Sequence, residues 1–255
     1  MKKEDFLKLM QGEDEAVILR LYNKLILAEK TSKPIYTSEF YTPGIWSKLI
    51  KFTWNSQIKV SSYGAFDEAE RRIICFNSDD EAMVPVKVLL IWNKSKFYNL
   101  QHKDYLGAIM SLGIKREKIG DLIVQDSNCY CAVCEDIVEY LINNLSYIAQ
   151  CPCEVIEITD YSKLPTYKFQ ENVIISTSLR ADCIVSSICG ISRSKSVDLL
   201  KSGKVLIDYI EVKEKDFEIS LPTTITIRGK GKFKLLDVLG NSSSGRLKIQ
   251  LKKFD

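Results

Sequence analysis

Apolar residues in the first part of the chain follow helical spacing. They recur every three or four positions between Asp14 and Lys30, which predicts an amphipathic helix that ends before Pro34. Thr42-Pro43 is typical of a helix start and predicts a second helix through Ile50. Short strands are expected at residues 58–60 and 72–76. We therefore expect a mostly helical N-terminal domain over residues 1–80.

The middle of the chain alternates between strand and helix patterns. The predicted order is strand, helix, strand, strand, helix, strand, at residues 84–92, 101–112, 122–124, 129–133, 135–145 and 153–158. This is the split β-α-β pattern of ferredoxin-like and RRM-like domains. It predicts an RRM-like α+β domain over residues 81–165. A fold of this kind serves many functions and does not decide one.

The last third begins with a polar, proline-containing stretch, residues 161–170, which predicts a linker. Two short helices punctuated by Gly190 and Gly203 are expected after it, at residues 181–189 and 192–202. Strands are expected at residues 173–178, 205–210, 217–221, 224–228, 233–239 and 246–251. The predicted fold class is α+β over the whole chain.

Composition narrows the function classes. The longest apolar run, around Val88 to Trp92, is far shorter than the ~20 residues that a membrane helix needs. The N-terminus has no signal-peptide pattern, so we expect a cytoplasmic protein with no membrane partner. A single histidine, His102, argues against most histidine-based catalysis and most zinc enzymes. We predict no cofactor and no catalytic residues.

Charge is distributed unevenly along the chain. Residues 178–255 contain 15 Lys and Arg against 9 Asp and Glu, a net charge of +6, whereas residues 1–177 contain 21 against 24. A basic end on a slightly acidic body predicts a polyanionic partner at that end, and an ordinary soluble surface is the alternative.

Basic residues in the last third cluster at a helix start and in a glycine-rich turn. Ser192 can cap a helix whose first turn contains Arg193 and Lys195, where cations are unfavourable unless phosphates bind. Lys201 and Lys204 flank Gly203. The run from Arg228 to Lys234 mixes four cations with two glycines, which let a backbone approach a phosphate. A solvated lysine-rich turn is the alternative interpretation.

Four short runs in this region resemble the RNA-binding S-four domain, named after small-subunit ribosomal protein number four. They are Leu179-Arg180-Ala181-Asp182, Ile191 to Ser196, Lys201 to Val205 and Ile227-Arg228-Gly229. The resemblance departs from the usual residues at Ala181, Asp208 and Pro222-Thr223, and Asp208 would add a negative charge beside the RNA face. It predicts a linker strand and an S-four-type domain over residues 166–255, with the RNA grip in the C-terminal third.

Runs at residues 67–71, 102–108 and 112–121 extend the resemblance, over nearly the whole chain, to the bacterial YlmH family. The resemblance implies a non-enzymatic protein that binds ribosomal RNA or tRNA on the large ribosomal subunit. It further implies a role in clearing stalled subunits loaded with peptidyl-tRNA. The expected partner is structured RNA, without DNA specificity.

The same resemblance implies which residues contact RNA, through phosphates or shape. The main set is Arg180, Ser192, Arg193, Lys195, Lys201 and Lys204, with Arg228, Lys230 and Lys232 as further candidates. A possible second contact comprises His102, Lys103, Lys115, Arg116 and Lys118, for which a solvated surface is the alternative. The third strand of the middle domain offers only Tyr130 as an aromatic residue, so we do not expect a typical RRM base-stacking sheet.

Five cysteines in the middle domain allow a zinc site or an apolar core. Their spacing departs from paired C-x₂-C knuckles, at Cys129, Cys131, Cys134, Cys151 and Cys153. The predicted strand order puts one strand between the two cysteine-bearing strands, roughly 9.5 Å apart. Thiolates that share a zinc ion must each lie about 2.3 Å from it. We therefore predict reduced thiols packed in the core.

Two other function classes remain open. An RNA-modifying enzyme would need a deep polar pocket in the first two domains, although the sequence shows no phosphate loop or dinucleotide motif. A cell-division-linked adaptor would need a large exposed apolar patch on the N-terminal domain.

Overall fold

The computed structural model describes residues 2–53, 57–78, 80–95 and 97–254. The chain forms two compact units, Met1–Thr166 and Tyr167–Asp255. Both units mix helices with antiparallel sheets, as the sequence predicts. Over the described residues, every helix falls short of the length and apolar character that a membrane crossing requires.

The first unit begins with helices that pack beside a three-stranded sheet of order β1-β3-β2. The elements are α1 (Lys3–Leu9), α2 (Glu15–Thr31), β1 (Ile35–Tyr36), α3 (Pro43–Thr53), β2 (Val60–Tyr63) and β3 (Ile73–Phe76). The Asp14 carboxylate caps α2 by accepting from the backbone N–H of Ala16 and Val17, at 2.8 and 3.1 Å. The sequence pattern missed β1, and β2 begins at Val60, where the predicted strand was expected to end.

The rest of the first unit contains the expected order of strands and helices, with one short strand added. The elements are β4 (Val86–Asn93), α4 (His102–Ser111), β5 (Ile119–Gln125), β6 (Asn128–Cys134), α5 (Val138–Asn144), β7 (Tyr147–Ile148) and β8 (Cys151–Ile158). The sheet order is β5-β6-β4-β8-β7, and all paired strands are antiparallel. Strand β4 therefore lies between β6 and β8, as predicted.

Two separate hydrophobic clusters form in the described part of the first unit. One joins α1, α2 and α3 to the three-stranded sheet, with Phe6, Leu21 and Leu49 fully buried. The other lies between the five-stranded sheet and helices α4 and α5, with Leu89 and Tyr105 fully buried. Each cluster buries the apolar stripe that the sequence pattern shows.

The second unit packs two helices on one face of a six-stranded sheet. The elements are β9 (Phe169–Ser176), α6 (Ala181–Cys189), α7 (Arg193–Lys201), β10 (Val205–Ile207), β11 (Ile210–Glu211), β12 (Thr223–Ile227), β13 (Gly231–Asn241) and β14 (Leu247–Phe254). The strand order is β11-β10-β12-β13-β14-β9, with all paired strands antiparallel. Ile184, Leu200, Ile225 and Leu235 form the centre of its core.

Three predicted features of the second unit are wrong in detail. Residues 217–221 form no strand; they make one bridge, Arg180 with Glu218, because their backbone pairs with the chain that leads into α6. The expected strand at 205–210 is broken by a turn, in which Asp208 and Tyr209 have φ of 44° and 70°. The expected linker is shorter than predicted, since β9 begins at Phe169.

Candidate nucleic-acid interface

The start of α6 is closed by the protein's own backbone. The N–H groups of Ala181 and Asp182 donate to the carbonyl oxygens of Phe217 and Lys215, at 2.9 and 3.1 Å. The first turn of a helix is an anion site only when its N–H groups are open. The N-terminus of α6 is therefore occupied by residues 215–217.

A buried carboxylate holds two of the predicted RNA-contact residues. Asp182 is 2% exposed and accepts from Arg180 Nε at 3.2 Å and from Arg193 Nε and Nη2 at 3.1 and 2.5 Å. Burial opposes ionisation of Asp182, but the hydrogen bonds from Arg193 and Arg180 outweigh it and hold the pKa of Asp182 below its ordinary value. Arg193, in the first turn of α7, is thus paired with Asp182 of α6. The sequence interpretation did not predict this pairing.

The first turn of α7 separates Arg193 from Lys195. The Ser192 hydroxyl caps the helix by accepting from the Lys195 N–H at 3.4 Å, as predicted. With 3.6 residues per turn, two positions are about 200° apart around the helix axis. Lys195 is exposed, but it lies on the side of α7 away from Arg193.

Four exposed cations gather beyond the other end of α7. Lys201 and Lys204 flank the turn at Gly203, and the backbone N–H of Arg228 donates to the Lys204 carbonyl oxygen at 2.9 Å. Lys230 follows in the turn from β12 to β13. Over the described residues, no ion pair holds the charged groups of these four side chains.

Together with the arginines at Asp182, these cations line the two ends of α7. The C-terminal basic surface is defined as Arg180, Arg193, Lys201, Lys204, Arg228 and Lys230. A nine-residue helix is about 13 Å long, which is the approximate spacing between its two groups of cations.

The glycines in the turn between β12 and β13 are required by the backbone conformation there. Gly229 and Gly231 have φ of 81° and 125°, which β-carbon-bearing residues rarely adopt. A β-carbon on Gly229 would meet nothing within 4 Å, so its positive φ is sufficient reason for glycine there. Lys232 does not join the C-terminal basic surface, since it lies over the rings of Tyr209 and Phe254 on the outer side of the sheet.

The cations predicted as a second contact divide into two groups. His102, Lys103 and Lys115 are exposed near the two ends of α4. Arg116 instead donates to the carbonyl oxygens of Ile119 and Gly120, at 2.5 and 3.2 Å, and burial lowers its pKa. Lys118 donates to the Ser38 carbonyl at 2.9 Å and pairs with Asp136 at 2.5 Å. Arg116 and Lys118 thus have structural partners that sequence spacing did not reveal.

The motifs at residues 67–71 and 112–121 meet in one internal contact. The Asp121 carboxylate accepts from the backbone N–H groups of Glu70 and Arg71. The Arg71 side chain donates to the carbonyl oxygens of Ile119 and Phe40, at 3.0 and 3.1 Å. Burial, together with repulsion from Arg116, lowers the pKa of Arg71 to about 10, so it stays charged at neutral pH. These motifs join the three-stranded part of the first unit to the five-stranded sheet.

One face of the five-stranded sheet is partly open. Leu89 and Ile91 point into the core, so Leu90 and Trp92 point to the other side, where Leu90 pairs with Tyr130 of β6 and Ile156 of β8. Trp92 is 47% exposed. The open middle face is defined as Leu90, Trp92, Tyr130 and Ile156. The sequence interpretation counted Tyr130 alone and missed Trp92, which only strand alternation places beside it.

The middle-domain cysteines are buried. Cys129, Cys131, Cys151 and Cys153 belong to the core under α4 and α5, whereas the Cys134 thiol donates to the Ser38 carbonyl oxygen. Burial raises the pKa of Cys131 to about 12 and that of Cys153 to about 11. Such thiols behave as small apolar residues and form thiolates poorly.

Comparisons with known proteins agree with the resemblance seen in the sequence. A family model described as "Putative RNA-binding domain in YlmH" matches residues 81–162. The chain is 24% identical over 222 residues to "Ribosome-associated protein quality control protein P2" of Bacillus subtilis, which spans 85% of this chain and 86% of the relative.

A solved structure shares the fold. "Cell division protein ylmH from Streptococcus pneumoniae" has a TM-score of 0.50 and 20% identity, over 61% of this chain and 96% of that one. The family model matches residues of the middle domain, whereas the sequence interpretation predicted the RNA-binding site in the C-terminal third.

The matches are to an RNA-binding family and not to an enzyme family, in agreement with the prediction of a non-enzymatic protein. The matched residues include the open middle face and the Arg71-contacting part of β5, and the relative aligns over most of the chain. The chain is therefore similar to the YlmH family over most of its length.

Proposed function

We propose that this protein binds ribosomal RNA or tRNA on the large ribosomal subunit and acts in quality control of stalled peptidyl-tRNA complexes. The observation that favours this function most is the group Lys201, Lys204 and Arg228, whose exposed cations are free of ion pairs over the described residues. Phosphate contacts of this kind supply most of the affinity for RNA. The ribosome-associated relative supports the location, which we take to be the cytoplasm.

Three domains with different tasks fit this function. We assign residues 1–80 to an N-terminal domain, 81–165 to an RRM-like domain and 166–255 to an S-four-type domain with its linker strand. Two hydrophobic clusters in the first unit and one in the second support this division. The order β5-β6-β4-β8 is the one expected of a split β-α-β sheet, which supports the RRM-like assignment.

The open middle face is the second RNA contact in this proposal. Trp92 and Tyr130 present aromatic surface on adjacent strands, and base–aromatic stacking stabilises a complex by about 1–3 kcal/mol per base. The family model over residues 81–162 supports this placement. RNA would then contact both units through different chemistry, with stacking in the first and phosphate binding in the second.

The described residues favour neither alternative function. Two pockets among the described residues of the first unit, of about 190 and 440 Å³, share Tyr63, and Cys75 lines the smaller one. Burial raises the pKa of Tyr63 to about 12 and that of Cys75 to about 11, so these two groups do not suit acid–base or nucleophilic catalysis at neutral pH; the pockets are also lined by Asp80, Glu81, Lys87 and Glu157. An adaptor would need a large apolar patch, yet Leu27 is the one strongly exposed large hydrophobic residue in the described part of residues 1–80.

Co-sedimentation with purified ribosomal subunits, with and without tRNA and across a salt series, tests the proposal. We expect binding to the large subunit that weakens with salt. Lys201→Glu with Lys204→Glu should reduce affinity by about tenfold or more and lower the salt slope by about 2. Lys213→Glu with Lys215→Glu changes the charge equally in the same unit and should bind almost as wild type.

Two outcomes would contradict this proposal. Full binding by the Lys201/Lys204 variant would remove the C-terminal basic surface from the interface. Absence of binding by the wild-type protein to either subunit, at any salt, would reject the ribosomal function itself.

A further inference from the structure

The face of the six-stranded sheet opposite α6 and α7 has its own set of side chains. Phe233 and Leu235 of β13 are buried in the core, so Lys232 and Lys234 point the other way. The registers pair Lys234 with Lys252 of β14, and Phe254 with Phe169 of β9. Three lysines and three aromatic residues define what we call the outer sheet face: Phe169, Tyr209, Lys232, Lys234, Lys252 and Phe254.

Cations and rings alternate across this face. The Lys232 ammonium lies 5.4 Å from the Tyr209 ring centroid and 5.3 Å from that of Phe254. The Lys252 ammonium lies 5.1 Å from the ring of Phe169, which meets Phe254 edge to face at 5.0 Å. Tyr167 adds a further ring, 6.2 Å from Phe254. Cation–π contacts at partly exposed sites are weak enough for the lysines to exchange one partner for another.

The outer sheet face is accessible and predominantly basic. Its rings and lysines are all half-buried, and the neighbouring Val173 and Ile175 of β9 are about half exposed. Lys248 adds a cation next to Ile175. Glu171, 3.7 Å from Lys252, and Asp237 are the acidic residues that the strand pairing places on this side of β9 and β13. Positive charge remains in excess.

This combination favours a particular class of ligand. Single-stranded nucleic acid is recognised by aromatic rings that stack the bases and by cations that follow the phosphates. An acidic protein segment would use the lysines but would gain little from four neighbouring rings. A double helix cannot use the rings, because its bases are already stacked.

We propose that the outer sheet face binds a short unpaired segment of RNA, with Lys232, Lys234 and Lys252 at the phosphates and the rings of Phe169, Tyr209 and Phe254 against the bases. On binding, Lys232 and Lys252 leave the ring faces and the bases replace them. The site rests on the RNA-binding function proposed above. It shares no residue with the C-terminal basic surface, which is defined by the cations at the two ends of α7.

Fluorescence anisotropy of the full chain with two labelled RNAs tests the proposal. One RNA is an oligouridine of about ten nucleotides and the other is a fully paired hairpin. Lys232→Gln with Lys252→Gln should weaken oligouridine binding by about fivefold or more and reduce its salt slope by about 1.4, with hairpin binding unchanged. The matched control, Lys213→Gln with Lys215→Gln, should leave both affinities unchanged.

Photo-crosslinking gives a second readout that needs no substitution. A 4-thiouridine oligonucleotide should crosslink to Tyr209, Phe169 or Phe254 of the wild-type protein, mapped by mass spectrometry. Crosslinks confined to the helical side would overturn the proposal. So would equal loss of both RNAs in the lysine variant, or displacement of oligouridine by polyglutamate as effectively as by unlabelled oligouridine.

The two proposals can fail separately. If the wild-type protein sediments with ribosomal subunits but does not bind oligouridine, the outer sheet face is not an RNA site and the proposed function stands. If it binds neither ribosomal subunits nor either RNA, both proposals fail.

Discussion

The two units place the same types of cationic residue, lysine and arginine, in different surroundings. In the first unit, Arg71, Arg116 and Lys118 donate to backbone carbonyl oxygens and to Asp136, and so connect the two layers of that unit. In the second unit, Lys201 and Lys204 are exposed and have no ion-pair partner over the described residues. Basic residues in a sequence therefore indicate either a structural contact or an anion site, and only the neighbours of each charge decide which.

Asp182 combines both purposes in one place. It is buried, yet the arginines that it holds reach the surface, and Arg193 has 57% of its side chain exposed. A carboxylate that fixes two guanidinium groups lowers the entropy lost when they bind a phosphate. The second unit thus contains one pair of arginines fixed by a buried carboxylate and one group of exposed cations without ion pairs over the described residues.

The largest effect is expected from Arg71→Met. The substitution keeps an unbranched apolar stem but leaves the carbonyl oxygens of Ile119 and Phe40 without their donor. We expect a loss of about 2–4 kcal/mol in the free energy of unfolding, measured by urea denaturation of the first unit's transition. Lys115→Met is the matched control at an exposed cation and should change stability by less than about 0.5 kcal/mol.

Measuring the RNA affinity of Arg71→Met tests whether this cation is structural or binds RNA. Arg71→Met protein that remains folded should bind ribosomal subunits with unchanged affinity. If Arg71→Met lowered RNA affinity but left stability intact, the division between structural and RNA-binding cations would be wrong for the first unit.

A smaller effect is expected from Asp182→Asn. The folded-state pKa of Asp182 is lowered, so its contribution to stability is present above the unfolded pKa of about 3.9 and is lost as the pH falls through the folded value. We expect the variant to be about 1–3 kcal/mol less stable than wild type at pH 7. The deficit should shrink below about pH 4, measured by urea midpoints between pH 3 and 7. A deficit independent of pH would show that the carboxylate charge is not the cause.

The smallest effect is expected from Lys103→Gln with Lys115→Gln. Both lysines are exposed near the ends of α4, so stability should change by less than about 0.5 kcal/mol. As phosphate contacts they would each lower the salt slope of ribosome binding by about 1, with a modest loss of affinity. An unchanged salt slope would show that Lys103 and Lys115 are solvated surface lysines that do not contact RNA phosphates.

Local sequence signals predicted most of the elements of the fold. The helix over Ala181–Cys189 has the predicted bounds, because Gly190 ends it in a left-handed conformation with φ of 62°. Residues 217–221 were assigned wrongly, since they resemble a strand but their partners are Leu179 and Ala181, far away in sequence. Strand β1, two residues long, has too little pattern to be recognised and exists through its pairing with β3.

The candidate site was only partly predictable. Charge spacing identified Lys201, Lys204 and Arg228, because cations beside glycine turns are exposed in most folds. It could not show that Lys232 lies over the rings of Tyr209 and Phe254, or that Trp92 joins Tyr130. Both facts depend on strand pairing between residues far apart in sequence.

The sequence by itself determined the α+β class, the basic C-terminal third and the resemblance to a family of RNA-binding proteins. These properties are local or additive, since helical periodicity, strand alternation and net charge need no knowledge of contacts. Only the tertiary structure decided which cations are internal, because Asp182, Asp136 and the carbonyl oxygens of Phe40 and Ile119 are brought to them by folding. The energy of a charge is set by its neighbours and its burial, and a linear sequence states neither.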